Sequence, residues 1–125
     1  MLASMILYGG SIIITGWGVA HIVPTKSVVS GFGPITDDNK RVLTMEWVSE
    51  GLMLCFVGIL TALVTFAVPH GTPAATLVYR VSAVMLLVMA LWTLLTGGRT
   101  AVVFFKICPV VKSVVAVLFL VGAAL

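Results

Sequence analysis

The chain has 125 residues, of which 61% are hydrophobic and only 9% are charged, and its mean hydropathy is +1.24. Soluble domains carry about 25% charged residues, so this composition excludes an ordinary soluble fold and favours a bilayer as the solvent. The net charge of +3 comes from dispersed basic residues rather than a basic patch, and we therefore exclude nucleic acid as a partner.

Four apolar stretches follow one another along the chain, at about residues 3–23, 42–68, 74–97 and 101–124. Each is close to the roughly 20 residues that cross a bilayer as a helix. A polar loop, residues 24–41, separates the first two stretches, and short turns make the other connections. Toward the end of this loop Thr36 or Asp37 can cap the next helix, and Asp37 and Asp38 suit its positive N-terminal end. Short turns make neighbouring helices antiparallel. The sequence therefore predicts an all-α integral membrane protein, with residues 1–125 forming a single up-down four-helix bundle.

The basic residues of the connections predict the orientation in the membrane. Lys26, Lys40 and Arg41 lie in the polar loop and Arg99 lies in the third connection, whereas the second connection has only His70. The positive-inside rule then places the loop 24–41 in the cytoplasm and both termini outside.

The two cysteines, Cys55 and Cys108, lie in predicted spans without a CxxC motif. Burial as small hydrophobic side chains is the favoured interpretation, and a redox pair is the alternative. No metal-ligand spacing is recognised, so the sequence predicts no metal site.

Charges after residue 50 are all cationic. A charge at membrane depth costs about 2.5–3.5 kcal/mol unless it is paired or hydrated. Lys112 lies halfway along the last span, so we expect it to face the interior or an oligomer interface, with Glu50 as its best partner. Arg80, about two turns into the third span, either reaches the interface or faces the same ligand as Lys112.

Two carboxylates and a histidine are the candidate acid–base groups. Glu46 and Glu50 are four residues apart and share one helix face, where such a pair can act as acid and base or carry protons. The competing interpretation is that Glu46 only pairs with Arg99 or Lys40 at the interface. His21 is expected at a similar depth, where it either relays protons or caps the first helix.

Two short motifs carry a family resemblance. Gly18-Val-Ala-His21-Ile-Val-Pro24 ends the first span, and Ser49-Glu50-Gly51-Leu52 lies in the second. In these motifs the chain resembles the DoxX-like family of small four-span bacterial membrane proteins. The resemblance implies the bacterial inner membrane, site roles for His21 and Glu50, and membrane redox work. In that family this work is quinone-linked oxidation of sulfur compounds in some members and oxidative-stress complexes in others.

The first functional hypothesis is a redox-linked component or accessory subunit, acting in quinone or thiol-stress chemistry. His21 and Glu50 would handle protons while Lys112 or Arg80 faces a quinone-like ligand, which makes quinone the candidate cofactor. Besides the lipid bilayer, the candidate partners are this small molecule, a second copy of the chain and a membrane redox protein.

Three alternatives remain open from the sequence. One is an acid–base enzyme, an isomerase or cyclase, acting on a lipid or isoprenoid with Glu46 and Glu50 as acid and base. In that enzyme the ring face of Trp47 would stabilise a cationic intermediate. Another is an oligomeric transporter subunit with Glu50 as the proton-coupling site. The last is a non-catalytic partner whose buried charges pair only with each other.

Overall fold

The computed structural model describes all residues from 1 to 125 and contains no strand. Its helices, in chain order, are α1 Leu2–Ile22, α2 Thr25–Ser30, α3 Asp37–Ala67, α4 Pro73–Leu95 and α5 Val103–Ala124, with a 3-10 turn at Gly97–Arg99. All of these except the short α2 and the 3-10 turn are long and apolar enough to cross a membrane. The predicted all-α bundle of four long helices is confirmed, and it fits an integral membrane protein.

The exposed surface of the bundle is as apolar as its core. Leu7, Leu54 and Phe119 are fully buried between the helices, whereas Phe56 and Val88 point outward with more than half of their surface exposed. Water would penalise such a surface, and hydrocarbon does not. The distribution of apolar residues therefore agrees with the composition in favouring a lipid environment.

The helix α3 begins before the second apolar stretch, at the cap that the sequence predicts. Three spans agree with the sequence boundaries within two residues, but α3 begins at Asp37 and not near residue 42. The Thr36 side chain accepts a hydrogen bond from the Asn39 backbone N–H at 3.2 Å, and Asp37 and Asp38 suit the positive end of the helix. Hydropathy marks only the part of a helix that lies in hydrocarbon. The 31 residues of α3 are about 46 Å long, so its first turns project beyond a core of roughly 30 Å.

The polar loop 24–41 is also more ordered than predicted, because it contains α2. Thr25 and Val29 of this helix are buried, and α2 packs against α3. The Thr25 hydroxyl donates to the Ile22 carbonyl at 2.6 Å, which ties α2 to the end of α1. A six-residue helix is too short to show a hydrophobic period, so the sequence pattern did not reveal it.

The four long helices do not pack equally. α1 packs closely against α3 and also contacts α5, and α5 packs closely against α4, whereas α3 and α4 touch each other little. Gly51 and Gly58 allow the close approach of α3 to α1, since a Cβ on Gly58 would lie 2.7 Å from the Ser11 carbonyl oxygen. Gly9 and Gly16, the other seven-residue pair, have no such neighbours. The bundle therefore stays open between α3 and α4.

We call the end that carries α2, the start of α3 and the 3-10 turn the loop end. The opposite end carries both chain termini and the turn between α3 and α4, and we call it the termini end. The opening between α3 and α4 lies toward the loop end, where the sequence placed His21 and the two carboxylates.

Candidate functional site

Lys112 is the central charge of the site, and its side chain is completely buried. Its ammonium group donates hydrogen bonds to Glu50 Oε1 and, at 2.9 Å, to the Thr93 hydroxyl. Thr93 in turn donates to the Met89 carbonyl oxygen at 2.9 Å. The predicted interior position of Lys112 and its pairing with Glu50 are both confirmed. This one side chain of α5 therefore links α3 to α4.

His21 lies beside this ion pair and is 1% exposed. Its Nδ1 is 3.1 Å from the Trp17 carbonyl oxygen, which only accepts hydrogen bonds, so Nδ1 carries the proton. In the neutral ring Nε2 then presents its lone pair to the cluster. It lies 3.9 Å from Glu50 Oε1 and 3.6 Å from Cys108 Sγ. The structure thus brings together His21, Glu50 and Lys112 from three helices.

Cys108 is the member of this group that the sequence analysis missed. Its sulfur accepts a hydrogen bond from the Trp17 indole N–H at 3.4 Å and lies 4.0 Å from Glu50 Oε1. The predicted burial of Cys108 is confirmed, and its polar contacts are what the sequence did not indicate. The spacing of Cys108 and Lys112, four residues apart on one helix face, was the available signal. Both Cys108 and Cys55 are free thiols, so they form no disulfide pair.

Aromatic rings enclose the histidine. The His21 ring stacks on Trp47 with centroids 5.1 Å apart, and Phe104 lies 5.2 Å from His21 and stacks on Trp17 at 4.9 Å. The Trp47 indole N–H also donates to the His21 carbonyl oxygen at 2.5 Å. These rings keep water away from the His21 side chain, and hydrogen bonds are electrostatically stronger in such surroundings than in water.

The opening between α3 and α4 contains a cavity of about 610 Å³, and α2 forms one side of it. Glu50 lines this cavity with 29% of its side chain exposed, although its carboxylate also holds the buried Lys112. Thr93 lines it as well. The remaining walls are mostly apolar and include four aromatic side chains, Phe32, Trp47, Trp92 and Phe105. Glu50 and Thr93 are thus the two Lys112 partners that a molecule in the cavity would meet.

A second cavity of about 440 Å³ lies on the other side of Trp47, between α2 and the start of α5. The two cavities share four lining residues, Val28, Phe32, Trp47 and Phe105. No charged residue lines the second cavity. The site therefore offers a cavity with carboxylates beside one that is almost entirely apolar.

Glu46 and Arg80 lie outside the buried cluster. Glu46 is exposed and lines the 610 Å³ cavity one turn from Glu50, and it forms no ion pair. Lys40 pairs instead with Asp37, at 3.4 Å, so the competing interpretation of Glu46 is corrected.

Arg80 is exposed on α4. It precedes Thr93 by 13 residues, about 20 Å along a helix. This separation places Arg80 away from the Lys112 cluster, and its exposure agrees with the alternative expectation that it reaches the interface.

His70 lies at the termini end, as the sequence predicted. Its Nε2 is 3.0 Å from the Gly122 carbonyl oxygen, and its ring stacks on Tyr79. The two histidines are therefore in different environments, and His70 provides a natural comparison for His21.

No family model, curated protein or solved structure matches the chain. The resemblance to the DoxX-like family continues to rest on its two short motifs. Both motifs lie where α1 meets α3, and their polar residues, His21 and Glu50, lie side by side in the cluster.

Proposed function

We propose that this chain is a DoxX-like, redox-linked membrane protein that binds a quinone-like molecule between α3 and α4 and exchanges protons with it through Glu50. The observation that carries the proposal is the position of the Glu50 carboxylate. It bonds to the fully buried Lys112 on one side and lines a cavity of about 610 Å³ on the other. Because the Glu50 carboxylate of this ion pair is open to the cavity, a ligand bound in the cavity would contact a proton acceptor.

The charge arrangement favours one direction of proton transfer. The Glu50 carboxylate accepts a hydrogen bond from the Lys112 ammonium and has further lone pairs with which it can accept a proton. A quinol hydroxyl in the cavity would donate to Glu50 while its electrons pass to a membrane redox partner. The lone pair on His21 Nε2, 3.9 Å from Glu50 Oε1, is the next acceptor. Oxidation of a quinol releases two protons, so a carboxylate followed by an imidazole suits it.

The shape of the cavities supports a flat, apolar ligand with a tail. Trp47, Trp92 and Phe105 offer ring faces along the first cavity, against which a flat ring can stack. The adjoining apolar cavity has room for the first part of an isoprenoid tail. Because α3 and α4 touch each other little, such a molecule can enter sideways from the bilayer.

A purely structural ion pair would also join Glu50 directly to Lys112. The two interpretations differ in what the cavity does, because a purely structural pair requires no ligand in the space that Glu50 lines. Binding of a ligand in the cavity is therefore the decisive property to measure.

The acid–base enzyme is supported by one specific observation. Glu46 and Glu50 both line the same cavity, and Trp47 lies between them in sequence and also lines it. An isoprenoid held there would contact two carboxylates and an indole ring. This second candidate requires Glu46 for activity and requires no electron acceptor.

The experiment is a titration of the detergent-purified protein with a short-tailed quinone, followed by tryptophan fluorescence. We expect saturable quenching, because Trp47 and Trp92 line the cavity. Glu50→Gln should weaken binding about tenfold, the equivalent of about 1.4 kcal/mol, and the matched change Glu46→Gln should have little effect. Absence of saturable quenching in the folded wild type would refute quinone binding. If Glu50→Gln and Glu46→Gln weakened binding equally, and the protein converted an isoprenoid without an electron acceptor, the acid–base enzyme would be favoured.

The orientation belongs to the same proposal. The exposed cations Lys26, Lys40, Arg41 and Arg99 all lie at the loop end. We infer that this end faces the cytoplasm of a bacterial cell and that both termini lie on the outer side of the inner membrane. The cavity would then open near the cytoplasmic side, where a proton leaving Glu50 reaches water.

A further inference from the structure

We propose that His21, Glu50 and Cys108 form a binding site for a borderline transition-metal ion of the Zn²⁺ or Co²⁺ type. The three side chains come from α1, α3 and α5, and each offers one ligand atom. These atoms all lie within 4.8 Å of one another, and the side chains are buried or half-buried. Because each ligand comes from a different helix, no spacing in the sequence indicated the site.

The distances between the ligand atoms agree with a tetrahedral site. Bond lengths of about 2.3 Å to sulfur and 2.0–2.1 Å to nitrogen or oxygen place neighbouring tetrahedral ligands roughly 3.3–3.6 Å apart. The structure gives 3.6 Å from Cys108 Sγ to His21 Nε2, 3.9 Å from His21 Nε2 to Glu50 Oε1 and 4.0 Å from Cys108 Sγ to Glu50 Oε1. Movements of a few tenths of an ångström close these gaps.

Each ligand is already oriented by a neighbouring group. The Nδ1–H of His21 donates to the Trp17 carbonyl, which directs the Nε2 lone pair into the cluster. The Trp17 indole N–H donates to the Cys108 sulfur, and Lys112 donates to the Glu50 carboxylate. Metal-binding histidines and carboxylates are held in this way by hydrogen bonds to their other atoms.

Lys112 does not prevent metal binding, because a carboxylate has about four lone-pair positions and can accept from an ammonium while it ligates an ion. The Cys108 thiol loses its proton when the metal binds. A divalent ion, a thiolate, a carboxylate and the ammonium together leave one positive charge. A hydroxide or an anionic ligand at the fourth position neutralises it, and three protein ligands with one open position are typical of catalytic zinc sites.

A bound ion would take the His21 Nε2 lone pair that the proposed proton relay uses, so metal binding and proton transfer to His21 exclude each other. The metal ligands lie behind the cavity and only Glu50 of the three lines it, so the test of metal binding requires no quinone. A molecule reaching past Glu50 would approach the open position of the metal. The site therefore predicts metal binding whether or not the cavity holds a quinone.

The test is a titration of the full chain, purified in detergent with chelator and then freed of it, with Co²⁺ alone as the probe. We expect one equivalent to bind, with a thiolate-to-cobalt charge-transfer band in the near ultraviolet and intense visible bands of a four-coordinate ion. Zn²⁺ should abolish both sets of bands by displacement. A folded wild type that shows neither band would overturn the proposal.

Matched variants assign the ligands. Cys108→Ser should remove the charge-transfer band, while Cys55→Ser should retain it. His21→Ala should weaken Co²⁺ binding by about tenfold or more, while His70→Ala should not. Loss of the band in Cys55→Ser, or unchanged binding in His21→Ala, would show that the ion binds elsewhere and contradict the proposal.

Trp17→Phe provides a readout if Cys108→Ser fails to fold. It removes the N–H bond to the sulfur and keeps an aromatic ring against His21 and Phe104, so the charge-transfer band should persist but shift in energy. A band that is unchanged in Trp17→Phe would mean that the bound thiolate is not Cys108.

Discussion

Gly18 of α1 and Gly51 of α3 are in backbone contact. A Cβ on Gly18 would lie 2.6 Å from the Gly51 carbonyl oxygen, and a Cβ on Gly51 would lie 2.8 Å from the Gly18 carbonyl oxygen. Three residues after Gly18 comes His21, and immediately before Gly51 comes Glu50. The glycines of the two sequence motifs therefore hold the helices close enough for the polar residues of the same motifs to meet.

This contact predicts that Gly51→Ala destabilises the bundle and disturbs the site. The added methyl would meet backbone oxygen and the His21 Cβ, so α1 and α3 must separate. We expect a loss of about 1–3 kcal/mol, as for other overpacked interfaces. Unfolding of the detergent-purified protein measures it. Gly16→Ala is the control, because its Cβ meets nothing within 4 Å, and equal losses for both variants would contradict the close-contact explanation.

The pairing of Lys112 with Glu50 predicts that removing Glu50 and removing Lys112 lower the stability of the protein by different amounts. Glu50→Leu leaves an ammonium that is completely buried, whereas Lys112→Met leaves a carboxylate that is still partly exposed in the cavity. Breaking a buried pair from one side costs about 3–5 kcal/mol. We expect Glu50→Leu to lie at the upper end of this range and Lys112→Met at or below the lower end.

The double variant Glu50→Leu, Lys112→Met should recover part of the loss, because neither charge remains buried alone. Lys106→Met is the matched control on the same helix, since Lys106 is exposed and its loss should change stability little. Unfolding midpoints of the four variants test both statements. Strict additivity of the two single losses would show that Glu50 and Lys112 are not coupled.

The hydrogen bond from the Trp47 indole to the His21 carbonyl predicts a smaller loss of stability than the ion pair does. Trp47→Phe removes the indole hydrogen bond to the His21 carbonyl and should cost about 1 kcal/mol of unfolding free energy. Trp92→Phe, in the same cavity wall, removes no hydrogen bond and should be nearly neutral. If both changes cost the same, the bond from Trp47 to His21 does not contribute to stability.

The orientation is testable with single cysteines in a Cys55→Ser, Cys108→Ser background. A cysteine at exposed Ser30 should be protected in intact cells from a membrane-impermeant thiol reagent, because the loop end is proposed to be cytoplasmic. A cysteine at exposed Gly71, in the turn at the termini end, should react. The reverse labelling pattern would refute the proposed orientation.

The sequence was sufficient for the long helices and for the convergence of His21, Glu50 and Lys112. Spans of hydrocarbon-like residues follow directly from the thickness of a bilayer, and a lysine in mid-span with no acid nearby in sequence must find a carboxylate elsewhere. That argument identified the pair of Glu50 and Lys112. It did not identify Cys108, because a buried cysteine in an apolar helix looks like any small hydrophobic residue.

The Thr36 cap of α3 was recognised from the sequence and is confirmed, whereas the helix α2 was missed. Hydropathy reports which residues can lie in lipid, while the packing of α2 depends on the neighbouring helix. The cavity between α3 and α4 was likewise beyond sequence analysis. It exists because helices adjacent in the chain are separated in space, which no local pattern encodes.

α3 and α4 are joined by a short turn and diverge from it, so a small rotation at the turn produces a large displacement at the other end of the helices. They meet near this turn, where the Thr65 and Tyr79 hydroxyls are 3.2 Å apart, and they diverge toward Glu50 and Thr93. Glu50 lies 15 residues from Thr65, about 22 Å along the helix, so a rotation of about 5° at the turn moves it by about 2 Å. The Lys112 side chain spans this gap and joins the two helices through its hydrogen bonds to Glu50 and Thr93. A bulky ligand in the cavity that separates α3 from α4 must therefore stretch one of the hydrogen bonds from Lys112 to Glu50 or Thr93. Ligand binding in the cavity is thereby coupled to the charge environment of Glu50.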